Sequence, residues 1–530
     1  MWRFLKPYCD LKKEYKHKKA PMKYFVGIDE GTTGCKASVF DETGKLISIK
    51  GREYPSYYPH PGWVEQNIEE IKEAVFACCR DAVASAKRKG VDKNDIVAIS
   101  HSNQGITMVL LDENERPVRD RTIGWQDLRY VDILPELQKE VDMEKYWNIS
   151  GMMFGTYNIP ILRWLQENEP ENWARVRRIC SHQDWFLRQY GATGFFIDEG
   201  CANFLSMANK DTNEWDDYLT SVYHVDKNAL PKVIHTPGTV VGEVTEEISR
   251  QLGLPVGCKV CSGGLDTNCC LMGAGAKDAG TQVLVMGTAG VSIVVTDKMV
   301  LDPNKRITVR SNPGFGNYQF YIMTNTGASS FRWFRDELCS MESATAKLMQ
   351  IDPYNIITAM AENSKPGANG VVALTCFQGS HTRIKNEKAR GAFFGINLGT
   401  SKADLAQAVL EGICYEMKDI LKMNENLYGK EITSIRLCGG VSKSPYWCQM
   451  FADIFNRPIE LIEVSELGCL GAAMCAGIGA GLYKDASDAV DKCVHIKEVY
   501  TPNKDNVNIY QETFDKWFEC LKITNSQIYL

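Results

Sequence analysis

Two short segments, roughly half a chain apart, share one strand–turn–strand pattern, and this repetition constrains the fold more than any other feature. In residues 24–47 an apolar run enters the turn GTTG at 31–34 and then resumes with alternating apolar residues. In residues 282–295 an apolar run enters the turn GTAG at 287–290 and resumes in the same way. Such runs on either side of a glycine-containing turn indicate β-hairpins. The repetition predicts duplicated halves that face each other across a cleft.

Both turns have the composition of a phosphate-binding loop. Glycine lets backbone N–H groups approach an anion closely, and threonine hydroxyls add further donors. Thr32, Thr33 and Thr288 are therefore predicted to contact phosphate oxygens, and Asp29 is predicted to hold a hydrated Mg²⁺ beside them. Glycine- and threonine-rich turns are also common in plain hairpins. The repetition is what favours nucleotide binding.

Length and composition exclude several other classes of protein. At 530 residues the chain is too long for one core and predicts two or three α/β domains. Its 44% hydrophobic and 24% charged residues are typical of a soluble globular protein. A net charge of −6 argues against a nucleic-acid partner, which would need a basic face. No apolar run approaches the roughly 20 residues of a membrane span.

The chain has 19 cysteines, mostly within apolar runs. An odd count without a secretory signal predicts reduced thiols and a cytoplasmic location. Cys258 and Cys261 have the CxxC spacing of a metal or redox site, but no second pair follows at zinc-finger spacing, so a buried strand is the favoured interpretation. Residues 1–21, with a lysine-rich run, are predicted to be a basic extension, and the fold is expected to begin at Met22.

Asp266 is the strongest single candidate for catalysis. It follows an apolar strand that ends in the sequence SGGL, and it precedes a helix of small residues. An aspartate in this position is often only a helix N-cap. A general base needs the same placement, because its carboxylate must lie on an open loop within reach of a hydroxyl group. Thr267, the next residue, is predicted to bind the same acceptor molecule.

Further polar residues are predicted to bind the acceptor. Asn103 and Gln104 follow a buried strand, and ligands of open α/β sheets bind beyond the carboxyl ends of strands. Their amides suit a polyol, although an Asn-Gln-Gly sequence is as common in ordinary turns. Trp125, close to Gln, Asp and Arg residues, offers an apolar face and hydrogen-bonding groups to a sugar. The alternative for Trp125 is a buried ring beside a surface ion pair.

Together these motifs resemble the FGGY family of carbohydrate kinases over about residues 22–500. The matching segments are GIDEGTTGCKA, PGWVEQN, SGGLDTN, VMGTAG, ARGAFFGINLGTSKADLAQAVLEGI and LCGGVSKSPYWCQMFADI. The resemblance implies a two-domain α/β fold of the actin-like and hexokinase-like (ribonuclease H-like) ATPase type, with the active site in the interdomain cleft. It implies an N-terminal substrate domain at 22–274, a C-terminal nucleotide domain at 275–500 and a tail at 501–530.

The resemblance also implies individual roles. Tyr157 and Asp266 match positions that touch the acceptor. Lys36 matches a phosphate contact that is more often arginine in the family. The positions implied on the ATP and Mg²⁺ side are Asp29, Thr32, Thr33, Lys36, Thr288, Gly327, Gly440 and Ser444.

The identity of the acceptor is not resolved by these motifs. Asn103 and Gln104 stand where glycerol kinases carry Arg-Glu and xylulokinases carry Met-His, and the segment QGSHTR at 378–383 lacks the Gly-Glu-Arg of many relatives. The segments SSFRWFRDELC and GGVSKSPYW are similar to autoinducer-2 kinases. Those enzymes, however, carry Arg-Glu where this chain has Asn103 and Gln104.

The sequence therefore predicts an ATP-dependent kinase that phosphorylates a hydroxyl group of a small sugar or polyol, first of all a ketopentose such as xylulose. Autoinducer-2 kinase and glycerol or tetritol kinase are the alternatives within the family. A non-catalytic sugar or nucleotide sensor and an ATPase that performs conformational work are alternatives from other classes. The intact Asp266 loop and both intact turns favour the enzyme. A homodimer without nucleic-acid or membrane partners is the expected assembly.

Overall fold

Each of the two predicted hairpins forms part of a central β-sheet. The computed structural model describes residues 21–155, 157 and 159–529, so the predicted basic extension lies outside the described residues except for Pro21. The first sheet has six strands and the second has seven. They form the centres of two lobes.

The first lobe contains the following elements. Its strands are β1 (Tyr24–Glu30), β2 (Gly34–Asp41), β3 (Leu46–Glu53), β4 (Glu65–Gln66), β5 (Ile96–Asn103), β6 (Met108–Leu111), β7 (Thr122–Ile123), β8 (Arg178–Ser181), β9 (Phe196–Asp198), β10 (Lys232–Ile234), β11 (Val240–Glu243) and β12 (Lys259–Leu265). Its helices are α1 (Ile68–Arg88), α2 (Leu134–Glu140), α3 (Met143–Ser150), α4 (Ile161–Asn168), α5 (Pro170–Arg175), α6 (His182–Tyr190), α7 (Glu199–Phe204), α8 (Asp217–Val222), α9 (Glu246–Leu252) and α10 (Asp266–Gly273).

The second lobe contains the remaining elements, which begin with the second hairpin. The strands are β13 (Thr281–Met286), β14 (Gly290–Thr296), β15 (Thr308–Asn312), β16 (Asn317–Thr324), β17 (Val372–Leu374), β18 (Ser380–His381), β19 (Lys385–Asn386), β20 (Ala392–Phe394), β21 (Ser434–Gly439), β22 (Ile459–Ile462) and β23 (Ile496–Tyr500). The helices are α11 (Ser329–Leu338), α12 (Ser340–Met349), α13 (Pro353–Ala361), α14 (Lys402–Tyr428), α15 (Pro445–Phe455), α16 (Leu467–Ala480), α17 (Ala486–Cys493) and α18 (Lys504–Gln527).

The two sheets have the same topology. In the first, the order is β11-β12-β5-β1-β2-β3, with β1, β2 and β3 antiparallel and with β5 and β12 parallel to β1. In the second, β16-β14-β13 are antiparallel, β21 and β22 continue in parallel, and β15 is added at one edge. The prediction of duplicated α/β halves is confirmed.

Two helices are exchanged where the lobes meet. Helix α16 leaves the second sheet but packs on the first, with Leu470 and Met474 in one core cluster with Phe25 and Phe40. Helix α10 leaves the first sheet and joins the core cluster of β13 and β14. At their crossing, a Cβ atom on Gly471 would lie 2.0 Å from the carbonyl oxygen of Cys269. The small-residue helix therefore allows backbone-to-backbone contact between the lobes.

The segment predicted to be a C-terminal tail contains a long helix of the second lobe. Helix α18 has 24 residues, and Tyr510, Phe514, Trp517 and Leu521 are buried in the core cluster of that lobe. Their spacing of three and four residues places them on one face of the helix. Residues 504–527 are thus an integral part of the second lobe.

The structure places both cysteines of the CxxC sequence in the core. Cys258 and Cys261 are buried free thiols, and the described residues contain no group of three or more His, Cys, Asp or Glu side chains able to hold a metal. Their position in the core agrees with the buried-strand interpretation. Among the described helices, none combines the length and hydrophobicity needed to cross a membrane.

Candidate active site between the lobes

Asp29 lies near the end of β1, where the two lobes meet. Its Oδ1 accepts a hydrogen bond from Ser102 Oγ at 2.9 Å. A Cβ atom on Gly468 would fall 2.6 Å from its carboxyl group, so the first turn of α16 lies directly against this carboxylate. Burial raises the pKa of Asp29 to about 6, against the opposing effects of Ser102 and Lys36. Asp29 therefore stands at the inter-lobe junction with one polar partner from β5.

The first turn, residues 31–34, is held from the first-lobe side. Thr32 Oγ1 accepts a hydrogen bond from Trp125 Nε1 at 2.9 Å, and the Thr32 carbonyl oxygen accepts one from Gln66 Nε2 at 2.7 Å. Thr33 is exposed. Trp125, predicted to bind the acceptor, thus forms a hydrogen bond with the predicted phosphate-binding turn.

Lys36 does not point freely toward the place expected for a phosphate. Its Nζ lies 2.6 Å from Oε2 of Glu466, the residue that precedes α16 in the second lobe. The two side chains keep 50% and 24% of their exposure, so water screens the ion pair. A phosphate contact by Lys36 requires this pair to be shared or exchanged.

A cavity of about 520 Å³ lies beside the second turn, residues 287–290. Its volume is within the range of small-molecule sites in proteins. The lining includes the predicted residues Thr288, Gly440 and Ser444, the cations Arg332 and Lys443, and the aromatic residues Tyr354, Tyr446 and Trp447. Hydroxyl groups, cations, bare backbone and aromatic rings together suit a nucleotide.

Gly327 does not line the cavity but lies behind the second turn. Its N–H donates to the Thr288 carbonyl oxygen at 2.8 Å. A Cβ atom at this position would fall 2.6 Å from the backbone of Ala289. Gly327 therefore allows the turn to pack closely against the start of α11, and any effect on a nucleotide passes through Thr288.

Asp266 is the first residue of α10 and is partly exposed. Its Oδ1 accepts a hydrogen bond from the N–H of Thr267 at 2.6 Å. Burial of the carboxyl group raises its pKa to about 7; the negative charges of Asp29 and Glu30 act in the same direction, and Arg310 opposes them. A carboxyl group with this pKa changes between acid and base forms near neutral pH.

Two further predicted residues lie beside Asp266. Tyr157 packs on Phe204, with ring centroids 5.0 Å apart, and burial raises its pKa to about 12, with Asp266 adding to the rise. Thr267 Oγ1 is buried without a hydrogen-bond partner in the described part of the chain. The structure thus brings Tyr157, Asp266 and Thr267 into one region.

Asn103 and Gln104 lie at the end of β5 but are buried and bonded to protein atoms. Asn103 Nδ2 donates to the Gln104 carbonyl oxygen at 2.8 Å. Gln104 Nε2 donates to Glu30 Oε1 at 2.8 Å and to Gln66 Oε1 at 3.1 Å. Within the described residues, Gln104 Oε1 has no partner. Direct binding of an acceptor by Gln104 therefore rests on that one atom, and both amides help to fix the floor of the cleft.

Sequence reasoning missed several residues of this site. Glu30 is fully buried, accepts a hydrogen bond from Tyr54 OH at 3.1 Å, and lies 3.2 Å from His182 Nδ1. Its only signal is a second carboxylate directly after Asp29. Glu466 carries no signal, because its partner is 430 residues away. The sequence carries a weak signal for Arg310, because a charged residue stands in the middle of a strand.

Comparison with known proteins shows the family to which the chain belongs. The model of the FGGY family of carbohydrate kinases matches with its N-terminal domain at residues 24–273 and with its C-terminal domain at residues 282–480. A xylulose kinase of Staphylococcus epidermidis is 28% identical over 94% of this chain and 96% of its own length. A gluconokinase of Bacillus subtilis is 26% identical over 95% and 96%. A ligand-bound xylulose kinase structure from Lactobacillus acidophilus, 25% identical, superposes with a TM-score of 0.84 over 96% of this chain and 99% of that one. The chain therefore belongs to the FGGY family of carbohydrate kinases, phosphotransferases that act on an alcohol group and use ATP.

Proposed function

We propose that this chain transfers the γ-phosphoryl group of ATP to a hydroxyl group of a ketopentose such as xylulose. The observation that carries the proposal is the position of Asp266 between the lobes. Its carboxylate is close enough to Asp29 for the charge of Asp29 to raise the pKa of Asp266. The relatives named xylulose kinase support this choice of acceptor. Assembly as a homodimer stays a prediction, which light scattering would test.

Asp266 is proposed to be the general base. It accepts the proton of the acceptor hydroxyl as the oxygen forms a bond to the γ-phosphorus atom, and the bond from that phosphorus to the β–γ bridging oxygen breaks to release ADP. A pKa of about 7 leaves a large fraction of the carboxyl group deprotonated at neutral pH. Thr267 and Tyr157 are proposed to orient the acceptor beside it.

The phosphate chain is proposed to lie between the two turns. Thr32 and Thr33 on the first lobe and Thr288 on the second supply hydroxyl and backbone donors, while the cavity beside Gly440 and Ser444 takes the nucleoside. Asp29 fits Mg²⁺, because Mg²⁺ is commonly bound through one or two protein carboxylates with phosphate oxygens and water completing its shell. When bound, the ion would neutralise phosphate charge. Closure of the lobes would exclude water.

A coupled assay of ADP release tests the proposal. We expect release to depend on the acceptor, with xylulose active in a panel that also contains xylitol, glycerol, gluconate and the autoinducer-2 precursor. Asp278, an exposed carboxylate outside the cleft, supplies the control variant Asp278→Asn, which should leave the rate unchanged. ADP release that is independent of every acceptor would instead assign an ATPase, and the lack of any release would contradict the proposal.

A further inference from the structure

Arg310 on β15 is a buried cation without an acceptor for its hydrogen bonds. Its side chain is 1% exposed, and Nε, Nη1 and Nη2 all lack a hydrogen-bond partner among the described residues. It forms no ion pair with any carboxylate in the described ranges. Since a guanidinium carries five N–H donors and no acceptor, leaving all three nitrogens unpaired is costly.

A second buried arginine shows how this chain compensates such a charge for structural purposes. Arg129 is fully buried, and its Nε donates to Asp127 Oδ1 at 2.9 Å. Its Nη2 donates to Glu65 Oε1 at 2.8 Å and to Asp127 Oδ2 at 2.9 Å. Arg310 has no equivalent of these carboxylates, so none of its three nitrogens has a hydrogen-bond acceptor among the described residues.

The surroundings of Arg310 place it at the acceptor region. Its Cζ lies 3.7 Å from the centre of the Phe204 ring and 4.7 Å from that of Tyr321. Phe204 in turn packs on Tyr157, at 5.0 Å. The charge of Asp266 favours the protonated guanidinium, whose pKa burial lowers to about 10. A cation from the second lobe thus lies on aromatic rings beside the proposed general base of the first.

We propose that Arg310 determines the specificity of the acceptor site by binding a carbonyl-type oxygen of the acceptor, either the keto oxygen of a ketose or a carboxylate oxygen of a sugar acid. This inference rests on the proposed kinase function and adds the acceptor class to it. A donor-only group is best satisfied by an oxygen that carries concentrated negative charge and no hydrogen of its own. A hydroxyl in the same place would need a further acceptor for its proton. An alditol therefore offers the N–H groups of Arg310 a poorer hydrogen-bond acceptor than a ketose does.

Pairs of acceptors that differ only at this oxygen test the inference. Xylulose and xylitol differ in one keto group, and gluconate and glucitol differ in one carboxylate, so the two pairs distinguish the two sources. In wild-type protein we expect kcat/KM, measured by ADP release at saturating ATP, to be about 10- to 150-fold higher for one carbonyl-type acceptor than for its alditol, as one hydrogen bond to a charged group would give. In Arg310→Met we expect that preference to disappear through loss with the carbonyl-type acceptor.

Thermal unfolding separates recognition from a structural role. Methionine fills a similar apolar volume and removes an unpaired buried charge, so the ligand-free Arg310→Met protein should keep or raise its Tm. The preferred acceptor should raise the Tm of wild type and not that of the variant. Arg306, in the same segment, donates to the Arg383 carbonyl oxygen at 2.9 Å, and Arg306→Met is the matched control that should keep the acceptor preference.

The outcomes are distinct. Wild-type kinase activity without preference for a ketose or a sugar acid, or a preference that survives in Arg310→Met, would overturn the inference while the kinase function stands. A marked fall in the ligand-free Tm of Arg310→Met would show that the guanidinium stabilises the fold and would also overturn it. No activity with any acceptor would overturn the kinase proposal itself, and the inference with it.

Discussion

Lys36 of the first lobe and Glu466 of the second form an ion pair across the junction, with Nζ and Oε2 2.6 Å apart. Strand β2 carries the lysine, and the glutamate immediately precedes α16, whose first turn lies against Asp29. The pair therefore joins the predicted phosphate-binding side of one lobe to the crossing helix of the other.

Removal of the Lys36 charge should weaken ATP binding more than it weakens the fold. We expect Lys36→Met to raise the KM for ATP several-fold, because the phosphate groups of ATP lose their predicted contact with the Lys36 ammonium group. The free energy of unfolding should change by less than about 1 kcal/mol, because the ion pair is half exposed. Steady-state kinetics and urea unfolding measure the two effects. Lys50→Met, at an exposed position on β3, is the control, and an unchanged KM in Lys36→Met would remove this lysine from the phosphate site.

Replacement of the proposed general base should abolish turnover without preventing nucleotide binding. In Asp266→Asn we expect kcat to fall by roughly 10²- to 10⁴-fold, the usual contribution of general-base catalysis. The KM for the acceptor and the affinity for ATP, measured by calorimetry, should change little. Turnover at the wild-type rate in this variant would leave Asp266 only a structural role in the first turn of α10.

The activity should fall on the acid side of neutrality. Asp266 has its pKa raised to about 7 by burial, with Asp29 and Glu30 adding to the rise and the N–H of Thr267 and Arg310 opposing it. Below that pH the carboxyl group carries a proton and cannot accept one, so kcat/KM should decrease about tenfold per pH unit. A pH–rate profile that stays flat from pH 8 to pH 5 would contradict this assignment.

A side chain at Gly471 should destabilise the crossing of α10 and α16. A Cβ atom there would lie 2.0 Å from the Cys269 carbonyl oxygen, and backbone on both sides must move to admit it. We expect Gly471→Ala to destabilise the protein by about 1–3 kcal/mol, as overpacking of a core does. Gly51→Ala, where the added atom would lie 3.6 Å from its nearest neighbour, is the control. Equal chemical denaturation midpoints for the two variants would show that the lobes adapt to the added methyl group.

Local features of the fold were predictable because they depend on neighbouring residues. The glycine-containing turns between alternating apolar runs predicted both hairpins, and the observed strands β1, β2, β13 and β14 agree. The C-terminal tail was the exception, because the apolar face of α18 has meaning only against the core that it covers.

The sequence by itself determined the two turns, the carboxylates that follow the central strands and, through their combination, the family. Only the tertiary structure decided which side chains are free to bind a ligand. The amide of Gln104 is bonded to Glu30, 74 residues away, and Lys36 is paired with Glu466, while Arg310 is buried beside Asp266 with no partner among the described residues. Backbone conformation follows from neighbours in the chain, whereas the partner of a polar side chain depends on what folding brings beside it.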